Sequence, residues 1–190
     1  MNTEKLKIFA DLVQKWSPKI NLVSKSDLPH VWERHIEDSL RLLAFIPTTV
    51  SRAIDLGSGA GFPGLVLCIA SDLPFDLIES DARKAAFLTE AARQTKAPAK
   101  IHNCRIEAAP VQPAPLITAR ALAPLGKLLG LAAPLLEPDG FCLFPKGRGV
   151  ETELTDAAAL WHMKSERLSS PTWGDSCILK VSQIRHAGTT

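Results

Sequence analysis

The run Asp55-Leu56-Gly57-Ser58-Gly59-Ala60-Gly61-Phe62-Pro63-Gly64 joins a short apolar segment to an apolar helical one. Glycines let a chain turn sharply and let a ligand approach the backbone with no Cβ in the way. The helix that follows presents free N–H groups at its start. A dinucleotide fingerprint, G-x-G-x-x-G, is met formally by Gly59, Gly61 and Gly64. Counted from Gly57, the third position falls on Phe62. The carboxylate of Asp55 sits poorly beside a pyrophosphate and suits a cationic ligand, such as the amino group of a methionine moiety. Glu79 ends the next apolar segment, where an acid can accept both hydroxyls of a ribose. NAD-binding folds place an acid there too, so Glu79 supports a ribosyl ligand without choosing between them. A plain strand-to-helix turn and an NAD site remain the alternatives at this point.

Other residues have chemistry in their spacing. His35 and Asp38 lie three apart, so on a helix they share a face. That face is either a solvated His–carboxylate pair or one laid over a site. Lys146, between Pro145 and Gly147, is either a solvated loop lysine or a phosphate contact. Ile106 and Glu107 follow the third apolar segment and can close over an adenine. Phe62 and Trp32 are candidates to stack on a base, with ordinary core packing as the alternative.

These residues need elements to position them. Leu6, Phe9, Leu12, Val13 and Trp16 recur at helical spacing, and Ser17-Pro18 predicts the end of that helix. A second helix is expected from about Leu28 to Phe45, closed by Pro47. Strands are expected at residues 53–56, 75–78, 100–103, 116–119 and 141–144, then at 162–168 and 178–184. Helices are expected at 63–70, 82–95, 125–135 and 151–160. Strands alternating with helices imply βαβ units and a parallel sheet. Ligands then lie beyond the carboxyl ends of the strands, where the strand order reverses.

The 190 residues suit one domain with a short extension, and 46% apolar residues can fill its core. A division into residues 1–47, a helical extension packed on the core, and 48–190, the α/β sheet domain, follows from this pattern. No run of about 18 apolar residues suggests a membrane span, and the first residues lack a signal-peptide core. A soluble, cytoplasmic protein is expected. The four cysteines are far apart and lack zinc-ligand spacing, so reduced buried thiols and no metal are expected. A net charge of +2 neither demands nor excludes nucleic acid.

The D-x-G-x-G-x-G loop looks like the first motif of methyltransferases that use S-adenosylmethionine (AdoMet). Further strings narrow this. Asn21-Leu22-Val23-Ser24, Arg34-His35-Ile36-Glu37-Asp38-Ser39-Leu40, Arg105-Ile106-Glu107, Thr118-Ala119-Arg120-Ala121 and Pro145-Lys146-Gly147 occur in this order around the loop. From about Leu12 to Val181 the chain resembles the RsmG family, also called glucose-inhibited division protein B. These are bacterial enzymes that methylate guanine N7 in 16S small-subunit rRNA.

The resemblance implies a doubly wound, Rossmann-like α/β sheet with AdoMet as cofactor and S-adenosyl-L-homocysteine as product. It also implies 16S rRNA as partner, in the small subunit or an assembly intermediate, with a monomeric enzyme. Asp55, Gly57, Gly59, Gly61, Phe62, Glu79, Ile106, Glu107 and Arg120 then bind the cofactor. Arg120, Lys146, His35 and Arg34 serve the reacting centre, and Arg105 and Lys146 meet the RNA. The chain departs from the family in a shorter N-terminal region. It also has Gly174-Asp175-Ser176-Cys177 where members often carry Gly-Glu-Arg-His, which removes two basic residues. Methylation of another acceptor, or a non-catalytic AdoMet-binding module of ribosome assembly, are the competing functions.

Overall fold

A computed structural model describes residues 2–169 and 173–188. Helix α1 (Thr3–Ile20) buries Leu6, Phe9, Leu12 and Val13 along one face. It passes the expected stop at Ser17-Pro18. A proline in the last turn removes only one N–H donor, and the helix ends instead at Asn21. That residue takes a left-handed conformation and returns its N–H to the Ser17 carbonyl.

The expected single helix from Leu28 to Phe45 is broken. A 3₁₀ turn (Leu28–His30) leads into a π turn (Trp32–Ile36), then α2 (Glu37–Leu40) and a second 3₁₀ turn (Arg41–Phe45). The π turn is marked by the Glu37 N–H, which bonds the Trp32 carbonyl five residues back. Ser39 Oγ donates to the His35 carbonyl at 2.6 Å, a side-chain bond that commonly bends helices.

Beyond this lie β1 (Ala53–Leu56), α3 (Gly64–Ser71), β2 (Phe75–Ile78), α4 (Ala82–Thr95), β3 (Ala99–His102) and β4 (Ala114–Thr118). They are followed by α5 (Leu125–Ala132), β5 (Leu136–Lys146), α6 (Val150–Ala158), β6 (Trp161–Leu168) and β7 (Cys177–His186). The sheet order is β3-β2-β1-β4-β5-β7-β6. β1 to β5 are parallel, each linked by a helical crossover or a long connection. β7 runs antiparallel to both β5 and β6. The expectation of a parallel sheet therefore holds for five strands. The connection between the last two is shorter than the dozen or so residues a parallel crossover needs, so they pair antiparallel. β5 starts five residues before its expected first residue, through Pro138 and Gly140, with a register shift against β4.

Two apolar clusters cover the sheet faces. One joins Leu6, Phe9 and Val13 of α1 to Leu65 of α3 and Phe87 and Leu88 of α4. The other joins Leu125, Leu128 and Leu129 of α5 to Ile54, Ile117 and Phe144. Phe9 and Trp16 both contact the Phe87 ring, with centroids 6.2 and 5.7 Å apart. Residues of the N-terminal segment and of the sheet domain thus share one core. The four cysteines are unpaired. Among the described residues, no helix is long and apolar enough to cross a membrane.

The strand order reverses between β1 and β4. The glycine loop leaves β1 there and Arg120 follows β4, which is where ligands of open α/β sheets bind.

Candidate active site

The loop after β1 is shaped by positions that exclude a side chain. Gly57 has φ +63, and a Cβ there would lie 2.5 Å from Leu122 Cδ1. A Cβ on Gly64 would lie 2.5 Å from both Cβ and Cγ of Asp55. This second contact explains where Asp55 goes. Its carboxylate is fully buried beneath the loop, against the first residue of α3. Thr118, its register partner on β4, donates a hydroxyl to Asp55 Oδ1 at 2.6 Å. Oδ2 is buried with no hydrogen bond. Burial pushes the Asp55 carboxyl up to about 6 against the pull of the Thr118 hydroxyl. Asp55 was expected to meet the ligand's cation; here its side chain underpins the loop and lines none of the three cavities described below. Gly61 is closed to a side chain as well. A Cβ there would meet Leu65, Phe9 and Leu88 of the core.

Glu79, at the end of β2, clasps the loop from the other side. Its Oε2 accepts the Gly59 N–H at 2.8 Å and its Oε1 the Asp81 N–H at 2.7 Å. Each oxygen keeps a lone pair for a further donor. A cavity of about 460 Å³ opens here, lined by Gly57, Gly59, Glu79, Ile106, Glu107 and Arg120 among others. Its size is that of a small-molecule or cofactor pocket. The residues fit AdoMet. Bare glycine backbone lines one wall, a strand-end carboxylate with free lone pairs faces a diol, and Ile106 offers an apolar wall to a purine. Arg105 stands on the rim of the same cavity, exposed.

Arg120 belongs to two further cavities. One, of about 160 Å³, is lined by Val23, Asp27, His35, Gly59 and Phe62. The other, of about 190 Å³, is lined by Asp38, Arg41, Lys146 and Trp173. The guanidinium lies 5.1 Å from the centroid of Phe62. It donates from Nη2 to His35 Nδ1 at 3.0 Å and approaches Asp38 Oδ2 at 3.7 Å. Because a guanidinium only donates, His35 is neutral and carries its proton on Nε2. Burial, and then Arg120, hold the His35 pKa below its usual value. Burial also lowers that of Arg120, against the carboxylates of Asp38, Asp55 and Asp27. Phe62 is buried, with His35 stacked on it at 4.9 Å and Phe9 edge-on at 5.5 Å. The core reading therefore fits Phe62 better than a base-stacking role. Trp32 also packs against the core and lines none of these cavities.

Lys146 is committed within the protein. Its Nζ lies 2.6 Å from Glu153 Oε2, which also accepts the Leu125 N–H at 2.8 Å, at the start of α5. Arg34 points out of the site, exposed, and pairs with Asp27 at 2.5 Å. Sequence reasoning missed Glu153, Arg41 and Trp173, and quoted Thr118 only as part of a motif, without its bond to Asp55. Arg41 sits over the Trp173 ring at 5.3 Å and donates to Asp38 Oδ1 at 2.7 Å. Trp173 adjoined the divergent Gly174–Cys177 string, whose Ser176 and Cys177 line the same cavity.

The family model described as rRNA small subunit methyltransferase G matches residues 2–176. A ribosomal RNA small subunit methyltransferase G from Gluconobacter oxydans is 53% identical, covering 96% of this chain and 94% of its own. The protein of that name from Acidiphilium cryptum is 52% identical, covering 96% and 85%. In fold, the chain is similar to the N-methyltransferase NodS from Bradyrhizobium japonicum, solved with S-adenosyl-L-homocysteine. The TM-score is 0.60 at 15% identity, over 92% of this chain and 98% of that one. With a motif-ordered loop, a fitting cavity and a family match along nearly its whole length, the chain belongs to the rRNA small subunit methyltransferase G family and is an AdoMet-dependent methyltransferase.

Proposed function

We propose that this chain methylates N7 of a guanine in 16S small-subunit rRNA, in the subunit or an assembly intermediate, as a cytoplasmic monomer. The observation that carries this reading is that Arg120 forms a wall of the cofactor cavity and of an adjoining cavity large enough for a base. Bound AdoMet supplies an electrophilic methyl group on a sulfonium. Guanine N7 carries an in-plane lone pair and no proton, so no general base is required. The neutral, hydrogen-bonded His35 and the buried Asp55 fit such a site: neither is free to take a proton from a substrate.

The work of the residues is positioning, worth up to roughly 7–11 kcal/mol for well-aligned groups. Gly57, Gly59, Glu79, Ile106 and Glu107 hold the cofactor. Arg120 directs its N–H groups at the guanine O6 edge, which accepts them. N7 lies in the deep, narrow major groove of paired RNA, so the target guanine is unpaired or splayed out. Residues 1–47 act as an extension that delivers His35 and Asp38 to Arg120.

The test uses methyl-labelled AdoMet, small subunits lacking N7-methylguanine, and mapping by N7-specific strand cleavage. One labelled guanine is expected. The Arg120→Ala protein should stay folded and bind AdoMet while transfer falls about 10²–10³-fold, as when a charge-directing donor is lost. Labelling of protein alone, or near-normal transfer by the variant, would refute the assignment.

A further inference from the structure

The cavity lined by Asp38, Arg41, Arg120, Lys146 and Trp173 has an ordered set of donors and acceptors. Lys146 is neutralised by Glu153. The carboxylate of Asp38, which lines the cavity, uses Oδ1 for Arg41 and has Arg120 at 3.7 Å from Oδ2, so each oxygen keeps a lone pair for a further donor. Asp38 and Arg120 line this cavity together, 3.7 Å apart, and of the two only Arg120 also lines the cofactor cavity. The Pro145 and Trp173 side chains supply flat apolar surface beside this pair.

The rim of guanine has a matching order. The N2 amino group and N1–H are donors, O6 is an acceptor, and N7 is the lone pair to be methylated. A guanine with N1–H and N2–H on Asp38 and O6 on Arg120 presents N7 towards the cofactor cavity. Adenine mismatches at both places. Its N1 lone pair would face the carboxylate and its N6 amino group would face the guanidinium. An unmatched buried polar group costs far more than a hydrogen bond gains.

We propose that Asp38 is the specificity-determining residue, selecting guanine through its N1–H and N2 amino edge while Arg120 takes O6. This rests on the reading of the chain as a guanine-N7 methyltransferase. Asp38 also braces Arg41 and Arg120, so a loss of rate in a variant would not by itself separate recognition from bracing. The separation comes from the base.

Once the target guanine is mapped, a transcript is made with inosine at that position, which lacks only the N2 amino group. The native protein should use inosine about tenfold less well than guanine, the worth of one hydrogen bond to a charged group. Asp38→Asn should lower kcat/KM on guanine about 100-fold while the guanine-to-inosine ratio falls towards one. Equal losses on both bases, with the ratio kept, would overturn recognition and leave only bracing. If the native protein transfers no methyl to rRNA, the functional reading fails separately. Calorimetry with guanosine, inosine and adenosine then tests the cavity alone. Preference for guanosine, lost in Asp38→Asn, sustains the proposal, and equal binding of the three nucleosides refutes it.

Discussion

At the scale of single residues, the site is organised by what each polar atom already holds. Arg120 donates to His35 Nδ1, and His35 can accept only while neutral. Its folded pKa is lowered, so the folded state binds fewer protons than the unfolded one near the ordinary histidine range. The stability it contributes is present above pH 6.5 and lost as the pH falls below that value. Denaturation midpoints measured from pH 7.5 to 5 should fall for the native protein, and His35→Gln should flatten that slope. A slope unchanged by the substitution would show that other groups cause it. Asp55 has the opposite sign. Its raised pKa disfavours the folded state as the pH climbs from about 4 towards 6, so the comparison must be made against the native protein at each pH. The glycine loop and Glu79 were legible in the sequence because backbone freedom and a strand-end acid are local properties. The direction of Asp55 was not, since it depends on how closely α3 approaches β1.

At the scale of elements, that approach is the most exposed point of the design. Gly64→Ala would press a methyl group to 2.5 Å from Asp55, which the buried carboxylate cannot yield to without moving β1 or α3. The expected cost is about 1–3 kcal/mol, read as a lower thermal midpoint together with weaker AdoMet binding, because the displaced helix carries the loop. An unshifted midpoint would mean that α3 moves freely. Helices and strands with clean periodicity, such as Ala82–Thr95 and Phe75–Ile78, were readable to the residue. The segment from Leu28 to Phe45 was not. Its apolar spacing suits an α-helix, but the serine bond to the His35 carbonyl accompanies a π turn that periodicity does not report. The antiparallel pairing of β6 and β7 was likewise invisible in the strands themselves and follows from their short connection.

At the scale of the whole molecule, a net charge of +2 conceals a local excess at the open end of the sheet. In the lining of the cofactor cavity Lys84, Arg105, Arg120 and Lys127 outnumber Glu79 and Glu107, and next door Arg41 and Arg120 face the single carboxylate of Asp38. RNA affinity should fall steeply with salt, as phosphate contacts release counterions. Arg105→Ala should weaken binding about equally for all RNA sequences and reduce the slope of log affinity against log salt by about one. A slope unchanged by this substitution would remove Arg105 from the RNA surface. The alternation of elements implied parallel strands and a ligand at their carboxyl ends, but not the entry of β7 between β5 and β6. The role of charge was not implied either, because the sum over the chain hides its distribution.

One side chain, Arg120, borders all three cavities. A ligand that reorients it from any one of them alters the other two. Cofactor and acceptor then bind with a shared coupling free energy, and such coupling is reciprocal: whatever factor the cofactor adds to RNA affinity, the RNA returns to the cofactor. The spent cofactor is held by the same cradle but lacks the methyl group that separates it from the acceptor. On the proposed reading, release of the spent cofactor and entry of the next acceptor are therefore coupled through the same guanidinium.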